Sequence, residues 1–137
     1  THPKAIADSL LPLMYKEQFN KYCETCNSCV SELEKLLFDY KVPIVRRSDE
    51  QTPTHHLWIL CSDKYKSYQY YLKLESIGLL TNYRLLPYNL NAAVLCGLKK
   101  KHISKLAKIM SDAYHNDITP ALVKSCHKFI RKIKTTA

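Results

Sequence analysis

The sequence predicts an α/β fold of the two-layer α+β kind, in which helices cover one face of a small, mostly antiparallel sheet. Three observations lead there. Phe19, Tyr22, Cys23, Cys26, Val30, Leu33 and Leu37 recur at spacings of three and four, the repeat of one helical face. The continuous apolar run Leu57-Trp58-Ile59-Leu60-Cys61 has the length of a buried strand. Two further helical patterns follow it toward the end of the chain, as a sheet covered by helices requires.

The first helix is expected from about Ala5 to Tyr40, with Pro12 kinking it or separating a short first helix from a long second one. Lys41 to Arg46 is a short strand candidate, held to an edge by Pro43. The polar stretch Arg47 to Thr54 reads as a loop, and His56 to Cys61 as the central strand, buried on both faces. Ser62-Asp63 caps a helix that runs to about Ile77, where Gly78 stops it. Thr81 to Pro87 reads as extended, and Ala92 to Leu98 fits strand or helix equally. His102 to His115 is helical, with Ile103, Leu106, Ile109, Met110 and Ala113 on one face. Thr119 and Pro120 open a last helix as N-cap and first residue, turning Leu122, Val123, Cys126, Phe129, Ile130 and Ile133 inward. The whole, 1–137, reads as a single domain whose segment 116–137 is a basic C-terminal helix.

The chain of 137 residues carries a formal net charge of +9, which raises the question of a polyanionic partner. Lys99-Lys100-Lys101 forms one cluster; Lys128, Arg131, Lys132 and Lys134 form another. Both lie toward the C-terminus, on or beside the expected helices, and aromatic residues do not interleave with them as on a base-stacking platform. They read as solvated helix faces, so nucleic acid is not the expected partner, nor is a membrane, since no apolar run is long enough to span one. The opening Thr1-His2-Pro3-Lys4 has neither an initiator Met nor an apolar signal region, as a fragment would.

Six cysteines, Cys23, Cys26, Cys29, Cys61, Cys96 and Cys126, make an even number, yet the chain is long enough for its own core, so reduced, mostly buried thiols in a cytoplasmic protein are expected. Cys23-x-x-Cys26-x-x-Cys29 has the look of a metal or redox site. On a helix, however, residues three apart drift around the cylinder, and no second pair supplies a fourth ligand; Cys23 and Cys26 instead continue the apolar stripe. His55 and His56 point to opposite faces of a strand and cannot readily share a metal. With only Gly78 and Gly97, no glycine-rich phosphate loop is possible. No complete active site is present, so the chain alone is not expected to be catalytic, and no metal is expected.

Several landmarks then fall in a recurring order. Phe19-Asn20-Lys21-Tyr22 resembles F-K-E-Y, Val42 to Val45 resembles Y-K-I-V, and His55-His56-Leu57-Trp58-Ile59-Leu60 resembles N-H-L-x-L-V. Leu74 through Pro87 is similar to L-x-x-x-x-I-x-x-N-K-N-x-x-P. These are landmarks of the C-terminal, small domain of serine (glycine) hydroxymethyltransferase, a fold-type I pyridoxal-phosphate enzyme. The resemblance implies a domain that closes the active-site cleft of a parent transferase of one-carbon metabolism. It implies pyridoxal phosphate as the parent's cofactor, with tetrahydrofolate as a second one, a large cofactor-binding domain as partner and a homodimeric parent. It places Asn82, Arg84 and His56 near the cleft, Arg84 standing where the family has the second Asn of N-K-N. The family's next segment, G-[LI]-R-[LV]-G-T, has no counterpart: Leu90 runs directly into Asn91-Ala92-Ala93-Val94-Leu95-Cys96-Gly97-Leu98, and Cys96 stands at the arginine of T-x-R-G. Other expectations are a basic α/β module binding nucleic acid or an anionic surface, and the small domain of an aminotransferase or acyl-CoA-dependent synthase, which share the same layout.

Overall fold

In the computed structural model, residues 3–44, 56–57, 59, 63–79, 88–90, 93–94 and 97–136 are described. Four helices dominate: α1 (Pro3–Asp39), α2 (Lys64–Ser76), α3 (Ile103–His115) and α4 (Pro120–Thr136). Of the described residues, 78% are helical, which overturns the expected two-layer α/β fold. Strand pairing among them amounts to a two-residue antiparallel ladder, β1 (His56–Leu57) with β2 (Tyr88–Asn89), and one bridge between Ile44 and Ile59. That is too little to make a layer.

The physical reason lies in what the apolar residues of the expected strands do. Leu57 and Ile59, two apart and therefore on one side of an extended chain, are both fully buried in the core that the helices build. Among the described residues, the cluster they join is built mostly by helices. Val42 is buried in the same way, while Pro43, between it and the bridging Ile44, has no N–H to donate to a ladder.

Local signals in the sequence set most helix ends. Pro3 begins α1, where its missing N–H costs nothing. The helix then runs unbroken past Pro12, so the expected separation into two helices does not occur; a proline forfeits one backbone bond, and the turns on either side hold. Asp63 caps α2, its carboxylate accepting the Lys66 N–H at 2.8 Å. Thr119 does the same for α4 through Leu122 N–H at 3.1 Å. Three helical turns close by one device: the N–H of Leu79 reaches Leu74 O while that of Gly78 reaches Glu75 O, and the same pair of bonds recurs at Val42/Lys41 and Leu98/Gly97. The pivot residue has positive φ each time, +97° at Gly78, +109° at Gly97 and +63° at Lys41.

The core sits between the second half of α1 and α3. Cys29, Val30, Leu33 and Leu37 of α1 meet Ile103, Leu106, Ala107, Met110 and Ala113 in one cluster. Tyr70 of α2 is buried there and donates its hydroxyl to Met110 O at 2.9 Å, its ring edge-on to Tyr114. Lys73 Nζ donates to Asn116 O, and His115 Nε2 lies 2.7 Å from Tyr40 O, which ties the C-terminal ends of α1 and α3 together. Cys126, Phe129 and Ile133 dock α4 on the same core. By contrast, α1 from Lys16 to Lys21 is exposed throughout, and Phe19 is 62% exposed.

Candidate anion-binding groove

The most distinctive surface lies where α4 packs beside the start of α3. A 3-10 turn, Lys100–His102, leads into α3. Its third residue, His102, reaches back so that Nδ1 accepts the backbone N–H of Lys99 at 2.9 Å, half of a capping box. This bond fixes the tautomer: with Nδ1 an acceptor, the neutral ring carries its proton on Nε2.

Beside that ring runs a groove of about 570 Å³, lined by Lys101, His102 and Lys105 on one side and by Lys124, Lys128 and Lys132 on the other. Along α4 the three lysines recur every four residues, which on a helix places their Cα atoms about 6 Å apart along the axis. Phe129 forms the apolar floor, its ring edge-on to His102 with centroids 6.3 Å apart. α4 carries no acidic residue, so nothing on this helix neutralises the row.

His102 is only 6% exposed, and among the described residues its Nε2 is the buried side-chain polar atom without a hydrogen-bond partner. Burial, followed by the charges of Lys101, Lys99 and Lys132, holds its pKa below the ordinary imidazole value. The group is therefore a neutral N–H donor in a field of lysines. An anion is the species that such a field attracts and that such a donor can bind.

Of the cleft residues named from the sequence, Asn82 and Arg84 lie outside the described residues. His56 is described as backbone, paired with Asn89 in the ladder. The cysteine motif is also resolved: Cys26 and Cys29 are buried, Cys23 is half-buried, and all three are free thiols on α1. Burial raises the Cys26 pKa and pushes Cys29 up to about 11, the direction of inert core thiols. Among the described residues no group of three or more His, Cys, Asp or Glu side chains could hold a metal ion.

Sequence reading identified the two basic clusters but not the groove. Lys105 and Lys124 lie outside both clusters, and in the sequence His102 reads only as the start of a helix. The spacing of Lys124, Lys128 and Lys132 was a readable signal for one charged helix face; that Lys101 would come to face it was not. What fold and site define is a helical domain with a lysine-walled groove. No family model, curated protein or solved structure matches the chain.

Proposed function

We propose that this chain is a binding module that takes the phosphate backbone of nucleic acid along the groove between α3 and α4. The observation that carries the reading is the convergence of five lysines, from the 3-10 turn, α3 and α4, on one groove. Nucleic acid fits better than an anionic bilayer because Cys126, Phe129 and Ile133, the apolar face of α4, are spent in the core. An interfacial helix needs that face free to enter the lipid. Phe129 is buried too, so no aromatic platform in the groove stacks bases, and recognition is of backbone and not of sequence.

Fluorescence anisotropy with labelled oligonucleotides at increasing salt tests this. Five lysine–phosphate contacts give a slope of log affinity against log salt of about −4, with similar affinities for unrelated sequences. The charge reversals Lys128→Glu and Lys132→Glu should each weaken binding and flatten the slope. Absence of binding at low salt, or binding indifferent to salt, refutes the reading.

A second reading follows from the resemblance to glycine hydroxymethyltransferase, and the β1–β2 ladder favours it: His56–Leu57 and Tyr88–Asn89 belong to or adjoin two of the landmark segments, and they pair. On this reading the chain is a non-catalytic part of a cytoplasmic, homodimeric parent whose large domain holds pyridoxal phosphate, with tetrahydrofolate as a second cofactor. No described residue is assigned to hold either group. The test is the absorbance of the intact parent after addition of pyridoxal phosphate: a borohydride-reducible band supports this reading, and a spectrum identical to free cofactor sinks it. Neither reading places the chain across a membrane, and no helix among the described residues is long and apolar enough to cross one.

A further inference from the structure

Resting on the reading of the α3–α4 groove as an anion site, we propose that His102 is the seat of one phosphate group within it, donating Nε2–H to a non-bridging phosphate oxygen. Lysines alone attract anions diffusely, because an ammonium on a flexible stem has no fixed direction. His102 differs in three respects. Its ring is locked at Nδ1 by the Lys99 N–H, so the donor at Nε2 points in one direction. It is more than nine-tenths buried, so that donor is not held by bulk water. And it has no partner among the described residues, a cost that native interiors rarely leave standing.

The unpaired buried donor is a penalty in the unliganded protein that a phosphate oxygen removes. Lys101 and Lys105 on one wall, and Lys124, Lys128 and Lys132 on the other, supply the compensating charge. Because Nε2 is itself buried, the group reaches it only as the side chains over it move aside. The imidazole serves as a neutral donor throughout: to accept a second proton it would have to give up the Lys99 bond.

The experiment is a titration of the full chain with inorganic phosphate, then with an oligonucleotide, following the His102 ring by long-range ¹H–¹⁵N NMR. Phosphate should move the Nε2–H resonance downfield, saturably, with Nδ1 remaining the unprotonated nitrogen. His102→Phe should abolish the saturable response to phosphate and weaken oligonucleotide binding roughly tenfold, the loss of one charge-assisted hydrogen bond. His102→Gln, which keeps an amide donor near Nε2, should retain most of both. An oligonucleotide that binds while phosphate leaves His102 unmoved overturns this inference and leaves the groove reading intact. A phosphate response without oligonucleotide binding upholds the seat and assigns it to a small phosphorylated ligand. Silence with both removes seat and groove alike, and the wild-type resonance decides even if a variant fails to fold.

Discussion

Single residues in this chain show how backbone conformation and burial set stability. Gly78 and Lys41 occupy the same pivot position after their helices, both at positive φ. Glycine meets that conformation without a side-chain clash, whereas lysine does not. Lys41→Gly should therefore raise stability by up to about 1 kcal/mol in urea denaturation, the gain limited by the extra freedom glycine has when unfolded. Gly78→Ala should cost about 1–2 kcal/mol by the same measurement, since it adds strain at positive φ. Its new Cβ would also sit 3.3 Å from Ile130 Cδ1, close enough that the neighbour must give way.

His102 carries a pH dependence whose sign follows from its lowered pKa. Above the ordinary value of 6.5 the ring is neutral in both folded and unfolded chains and contributes nothing to the slope. As pH falls below it, the unfolded chain takes up a proton that the native ring refuses, so stability falls until the folded pKa is passed. Lys101, Lys99 and Lys132 face the ring and act in the same direction as its burial. Comparing urea midpoints of the protein and of His102→Gln from neutral to mildly acidic pH isolates the contribution: the variant should lose less stability on acidification.

At the scale of elements, α1 is one helix with two fates. Its second half is core: Cys29, Val30, Leu33 and Leu37 are fully buried. Its stretch from Lys16 to Lys21 is exposed, with the Phe19 ring near that of Tyr22, centroids 6.4 Å apart. A helix holds where packing supports it and frays where only its own backbone bonds do. Hydrogen exchange should show amides of 16–21 exchanging well before those of 29–37; equal protection would mean that something else covers the first stretch. The thiols report the same division. Cys29 and Cys126, both with pKa pushed up to about 11 by burial, should resist alkylation at neutral pH in the native protein and react once it is denatured. Peptide mapping by mass spectrometry reads this site by site.

For the molecule as a whole, the caps and stops of the helices were legible because they are local. Asp63, Gly78 and Thr119-Pro120 act within four residues of themselves, and the structure uses each as the sequence indicates. The cysteine stripe was legible for the same reason, since helical spacing alone puts Cys26 beside Val30 and Leu33. The sheet was misread because an apolar run such as 57–61 records only that the segment is buried. It does not record what buries it, and here helices do. The groove was illegible because its walls come from separate helical segments, one around Lys101 to Lys105 and the other from Lys124 to Lys132.

What the sequence by itself determined, then, was which segments are helical, where they end and which of their faces are apolar. Hydrogen bonds and side-chain periodicity within a few residues suffice for that. Only the tertiary structure decided that Leu57 and Ile59 would join a core built mostly by helices, with strand pairing among the described residues limited to a two-residue ladder and one bridge, and that the lysines near 101 and near 128 would face each other across His102. Those outcomes depend on which distant apolar faces find one another, and that information is spread over the whole chain.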